Sequence, residues 1–143
     1  MSRLLFPLVL ALLLSNCVPS SNVRLQDINP SRTYNAAYDQ VLDAIRMYAM
    51  KEGFKLDRFE TEYGTIIGHK TATSGGRART ETDAMSQVIV MKLSVKRQTE
   101  QRTDLNASFS YGALRTTQTK EDEQTLVYHY TSFFDYLNEA LKM

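Results

Sequence analysis

The 143-residue sequence predicts an α+β domain in which two amphipathic helices cover one face of a four-stranded antiparallel sheet, in the order α-β-β-β-β-α. Three observations carry that expectation. Apolar residues recur at helical spacing between positions 34 and 49, and again between 126 and 141. Between these stretches, two long runs alternate apolar and polar residues at every second position. Such alternation describes a sheet with one buried and one solvated face, and helices laid on the apolar face complete a two-layer sandwich.

The first helix is read from Ser31. Tyr34, Tyr38, Val41, Leu42, Ile45, Tyr48 and Ala49 fall on one side of a 3.6-residue period. Ser31 or Thr33 supplies the cap, and Gly53 sits where a left-handed residue ends helices. The stretch FKLDRFETEYGTIIGHKTAT then predicts a hairpin turning around Glu62, Tyr63 and Gly64.

A third strand follows in AMSQVIVMKLSVKRQ, with Ile89, Met91, Leu93 and Val95 opposed to Lys92, Ser94 and Lys96. The fourth, DLNASFSYGAL, sets Leu105, Ala107, Phe109, Tyr111 and Ala113 against Asn106, Ser108, Ser110 and Gly112, with the polar RQTEQRTD as the hairpin tip. The last helix carries Leu126, Tyr130, Phe133, Phe134, Leu137 and Leu141 as its stripe. Glu121, Asp122 and Glu123 stand in its first turn, where the helix dipole favours carboxylates.

The bulk composition allows one domain with a modest core. Hydrophobic residues make up 43% and charged residues 23%, the balance of a folded rather than a disordered chain. With 17 basic against 16 acidic residues, there is no surplus of positive charge to hold nucleic acid phosphates.

The amino terminus has a different character. Arg3 precedes an apolar run from Leu4 to Leu14, broken only by Pro7, and then comes Leu14-Ser15-Asn16-Cys17. Eleven residues at about 1.5 Å each fall short of a hydrocarbon core of about 30 Å, so the run reads as a secretory signal rather than a span. Cys17 is the only cysteine. This stretch resembles the lipobox of bacterial lipoproteins, with an aliphatic residue at −3, a small one at −2 and then cysteine; Asn16 stands in place of the usual Gly, Ala or Ser.

The resemblance implies a diacylglycerol on the Cys17 thiol, removal of residues 1–16 and acylation of the new N-terminus by a fatty acid such as palmitate. Burial of acyl methylenes contributes about 0.8 kcal/mol each, so two or three chains hold a protein on a membrane durably. Val18 is not the Asp that retains such lipoproteins in an inner membrane, which implies the periplasmic face of the outer membrane. Residues 17–30, from Cys17 through VPSSNVRLQDINP, read as lipidated cysteine and tether, with residues 31–143 as the domain. In element order the domain resembles the helix-grip envelope lipoproteins of the BamC type.

Catalytic and metal-binding patterns are not found. His69 and His129 are the only histidines and have no H-x-x-x-H spacing, no cysteine remains in the domain, and no G-x-S-x-G elbow occurs. Glu60 and Glu62 read as carboxylates on a solvated strand end. The chain is therefore expected to be neither an enzyme nor a holder of metal or cofactor. The SGGRART loop, Ser74 to Thr80, offers Arg77 and Arg79 as contacts for an anionic group or a partner. Tyr34, Tyr38, Tyr48, Tyr130 and Tyr136 lie on the helices as read here, and core packing is the commoner role for such residues than lining a ligand groove.

The reading that follows is a lipid-anchored interaction module, an accessory or scaffold in an envelope assembly or secretion complex. It would dock a partner protein, for instance by adding a strand to a sheet edge. A carrier of a small ligand or lipid, and a periplasmic immunity or inhibitor lipoprotein, are the alternatives.

Overall fold

A computed structural model describes residues 23–71, 88–112 and 118–142. Strand β1 (Ser31–Tyr34) leads into helix α1 (Tyr38–Glu52). Strands β2 (Lys55–Glu60), β3 (Thr65–Thr71), β4 (Val88–Thr99) and β5 (Arg102–Tyr111) follow, and helix α2 (Lys120–Ala140) closes the domain. The strands form one antiparallel sheet in the order β1-β5-β4-β3-β2.

The sheet thus has five strands, not four. The extra strand is Ser31–Tyr34, a segment whose Tyr34 fits the helical stripe of α1 equally well. It pairs with β5, Ser31 opposite Asn106 and Tyr34 opposite Thr103, and Asn106 Nδ2 donates to Ser31 Oγ at 2.8 Å. Neither Ser31 nor Thr33 caps a helix. Helix α1 begins at Tyr38 behind an Ala37 N-cap that has no hydroxyl to offer the first turn, and Gln40 Oε1 accepts the Ala37 N–H at 3.0 Å.

The other helix ends follow their local chemistry. Gly53 takes φ +77°, its N–H donates to the Met50 carbonyl, and the next N–H, of Phe54, donates to the Ala49 carbonyl. This is the paired Schellman closure, which needs a left-handed residue. At the start of α2, Thr119 Oγ1 accepts the Asp122 N–H and Asp122 Oδ2 accepts the Thr119 N–H at 2.7 Å, a complete capping box.

Both helices cover the same face. Ile66, Ile89, Met91, Leu93, Val95, Leu105, Ala107 and Phe109 are buried on that side, while Lys92, Ser94, Lys96, Asn106 and Ser108 between them are exposed. From the helices come Val41, Leu42, Ile45 and Tyr48 of α1 and Leu126, Phe133, Phe134 and Leu137 of α2. Rings knit the layer together: Tyr48 meets Phe133 edge-on at 5.0 Å, and Phe109 meets Tyr130 edge-on at 5.0 Å. Each such pair contributes about 0.5–1.5 kcal/mol beyond its burial.

The β2–β3 turn forms where the glycine signal stands. Gly64 takes φ +67°, and its carbonyl accepts the Val95 N–H at 2.8 Å. A Cβ there would meet the Val95 carbonyl oxygen at 1.8 Å, so the turn has no room for any other residue.

Residues 25–30, counted with the tether on sequence grounds, are laid onto the domain. Leu25–Asp27 form a 3-10 turn, Leu25 and Ile28 pack against the core, and the Leu25 N–H donates to Glu123 Oε1 at 3.1 Å. The Pro30 carbonyl then accepts the Ala107 N–H at 2.9 Å. Apolar Leu25 and Ile28 bring this segment down, because leaving them in water would forfeit their burial. Among the described residues, no helix is long and apolar enough to cross a membrane.

Candidate interaction surface

Cys17, Arg77 and Arg79, the residues singled out as sites, lie outside the described residues. The strands that bracket the arginine loop are described: β3 ends at Thr71, paired with Val88 at the start of β4.

The sheet edges come first, since strand addition was one expected mode of docking. Edge strand β1 is only four residues long. Edge strand β2 carries Lys55, Asp57, Arg58 and Glu60 and breaks register between Leu56 and Arg58. Short length, charge and an irregularity are the features that blunt a sheet edge against a further strand. Where β5 runs on past β1, the Phe109 N–H is taken by the Tyr130 hydroxyl at 3.1 Å. Neither edge invites a new strand.

The uncovered face of the sheet is polar. Beside β1 it holds a hollow of about 480 Å3 lined by Asn29, Ser31, Thr33, Ser94, Lys96 and Asp104, among others. Several of its polar groups engage one another: Asp104 accepts from Thr33 Oγ1 at 2.7 Å and Ser31 Oγ from Asn106 Nδ2 at 2.8 Å. Farther along the same face, His69 Nδ1 lies 2.6 Å from Asp57 Oδ2, a solvent-exposed pair. Among the described residues no three His, Cys, Asp or Glu side chains converge as a metal site would require.

The five tyrosines divide. Tyr34, Tyr38, Tyr48 and Tyr130 are buried in the core, and Tyr34 reaches it from β1 rather than from a helix. Burial pushes the Tyr34 hydroxyl up to about 12, partly opposed by Arg32, and pushes Tyr48 up as well. The Tyr38 hydroxyl donates to the Thr61 carbonyl at 2.7 Å. Tyr48, Phe54, Phe109 and Phe133 fill the space between helices and sheet at that level, with ring centres 5.0–6.3 Å apart.

His129 is the buried histidine. It is 3% exposed, stacks on Phe109 at 5.9 Å and meets Phe54 edge-on at 5.8 Å, and its Nδ1 has no partner. Burial, aided by the nearby Lys70 charge, lowers its pKa to about 4, so the ring is neutral. Lys70 itself reaches inward over Phe54 at 4.8 Å and is held by Glu52, at 3.1 Å from the carbonyl and 3.6 Å from the carboxylate. Burial lowers the Lys70 pKa and the Glu52 charge works against that shift. This is a polar cluster closing the C-terminal end of α1.

What remains is the outer side of the helices. Among the described residues, the large apolar side chains left most exposed are Val23, Met47, Met50, Tyr63 and Tyr128. Two of them share α1, Met47 at 55% and Met50 at 70% exposure. Beside Met47 runs a groove of about 290 Å3 between α1 and the last turns of α2, lined by Gln40, Asp43, Ala44, Tyr136, Ala140 and Leu141. Methionine is flexible and polarizable and adapts to varied partners, which suits an exposed contact surface. The signal was legible in the sequence: Met47 and Met50 stand off the Val41–Ile45–Tyr48 stripe, on the side of α1 where polar residues belong. No protein-family model matches the chain, and no curated protein matches it.

Proposed function

We propose that this is a lipid-anchored, non-enzymatic interaction module, held through acyl chains on Cys17 at the periplasmic face of the outer membrane, which docks an envelope protein partner. The observation that carries the anchor is Cys17, the single cysteine of the chain, set behind the eleven-residue apolar run by Ser15 and Asn16 alone. The observation that favours partner docking is the exposed Met47 on the groove between α1 and α2, with Met50 exposed one turn farther along α1. Anchoring confines the module to a thin layer above the lipid, so its effective concentration there is high and each contact can be weak.

The test combines mass spectrometry of the mature chain with site-specific photo-cross-linking in cells. The reading expects acyl chains on Cys17. It also expects one envelope protein captured from a photo-reactive residue at Met50, not from one at Lys92 on the sheet's open face, and lost with Cys17→Ala. An acyl-free Cys17 removes the anchor. A chain that carries acyl groups yet yields no adduct from Met47 or Met50 removes the docking surface, and native mass spectrometry for a retained ligand then addresses the carrier alternative.

A further inference from the structure

The mature chain meets oxidants with methionine alone. Cys17 is the only cysteine, and its acylation leaves no thiol to intercept them. The described residues hold three methionines, and the fold treats them differently. Met91 is fully buried on the inner face of β4, whereas Met47 and Met50 stand exposed on α1. Resting on the reading of this groove as a docking surface, we infer that Met47 and Met50 are an oxidative modification site for hypohalous acids, and that sulfoxide at Met47 switches docking off.

Once thiols are absent, the thioether sulfur is the softest nucleophile left, and it must be exposed to meet the oxidant. In net terms, hypochlorous acid gives its oxygen to sulfur. An S–O bond forms, the O–Cl bond breaks, and chloride and a proton leave. Sulfur is oxidised by two electrons and chlorine is reduced by two. Methionine sulfoxide reductases, one for each epimer, restore the thioether at the expense of two thiols, with water and a disulfide as the other products.

The consequence is set by what surrounds Met47. It lines the groove with Ala44, Tyr136 and Leu141. Lys51 stands four residues on, a neighbour on the same flank of the helix, with its Nζ 5.2 Å from the centre of the Tyr136 ring. Oxidation replaces an apolar contact by an acceptor oxygen beside that ammonium group. A partner seated there would strip water from both without supplying their bonds, which weakens its hold. The fold itself is spared, because neither side chain belongs to the buried core and each new oxygen stays open to water.

The acylated full chain is treated with one molar equivalent of hypochlorous acid, and sulfoxide at each methionine is read by peptide mass spectrometry. Oxidation at Met47 and Met50 is expected to exceed that at Met91 at least tenfold, with the far-ultraviolet circular dichroism spectrum unchanged. Comparable oxidation of Met91, or a loss of helix signal, overturns the site. The switch is read in cells from a photo-reactive residue at Ala140, exposed on the groove. The adduct is expected to fall at least fivefold after a brief exposure to hypochlorous acid. It is expected to fall as far without oxidant in Met47→Gln, whose amide stands in for the sulfoxide. In Met47→Leu/Met50→Leu, which stays apolar and takes up no oxygen, the adduct is expected to survive the same exposure. An adduct lost from that double variant as well overturns the switch and leaves docking intact, and so does one retained by a native chain whose methionines are shown to be oxidised. No adduct from Ala140 before any oxidant overturns docking and the switch together, while the mass map decides the modification site by itself.

Discussion

Replacing His129 by phenylalanine isolates the contribution of one buried imidazole to acid sensitivity. The ring is 3% exposed and surrounded by Phe54 and Phe109, with Lys70, Glu52, Tyr48 and Tyr128 as the polar or titratable groups around it. Its pKa falls from 6.5 to about 4 on folding because burial disfavours the imidazolium and Lys70 repels it. A depressed pKa means the unfolded chain binds the proton first. Stability is therefore complete above pH 6.5 and is lost as pH falls toward 4. At 1.36 kcal/mol per pH unit, the single-site relation puts the loss at about 2 kcal/mol by pH 5 and about 3 kcal/mol by pH 4. That is a large share of the roughly 5–15 kcal/mol that holds a small domain together.

The assay is urea unfolding of the acyl-free Cys17→Ala chain at pH 7.5, 6 and 5, followed by far-ultraviolet circular dichroism since there is no tryptophan. Wild type is expected to lose about 2 kcal/mol more than His129→Phe between pH 7.5 and 5. The comparison uses the difference between the two pH dependences, so any packing cost of the larger ring cancels. Equal losses in the two proteins would refute the reasoning, because the imidazole would then titrate alike in the folded and unfolded states.

Two further substitutions probe the frame. Gly64→Ala places a methyl group 1.8 Å from the Val95 carbonyl oxygen at a left-handed φ, and is expected to destabilise by about 3 kcal/mol or more in thermal or urea unfolding. Thr103→Val keeps shape but removes the donor that the Ala36 carbonyl accepts at 2.9 Å in a fully buried site. An unpaired buried acceptor costs about 1–3 kcal/mol, and a Thr103→Ser variant, which retains the hydroxyl, should recover part of it.

Tyr34, followed by the three-residue link from Asn35 to Ala37, shows why some features were legible and others not. Helix α2 could be read from the sequence because its apolar stripe, its acidic first turn and its cap lie within one continuous stretch. The β2–β3 turn was legible for the same local reason, since Gly64 announces a backbone that other residues avoid. Tyr34 satisfies both periodicities. It stands four residues before Tyr38 on a helix, and it is also an alternate, inward residue of Ser31–Tyr34 on a strand. Nothing within the segment decides between them.

The candidate surface divides in the same way. Met47 and Met50 could be recognised as apolar residues off the helical stripe, but that Met47 borders a groove depends on where Tyr136 and Leu141 of α2 come to rest. His129 could have been surface or core, and only the placement of Phe54 and Phe109 against it made it core.

The sequence by itself determined the α+β class, the two helices, the antiparallel pairing of consecutive strands and the place of the turns. These depend on interactions between residues close along the chain: periodic apolar faces, caps and left-handed glycines. Tertiary structure alone decided that Ser31–Tyr34 joins the sheet, that residues 25–30 lie on the domain, and that neither edge is left inviting. The first two depend on partners 70 or more positions away, Asn106 for Ser31 and Glu123 for Leu25. Hydrogen bonds and burial at such separation are available only once the β4–β5 hairpin and α2 are in place, and a short polar segment with weak propensities adopts whichever form satisfies its backbone there.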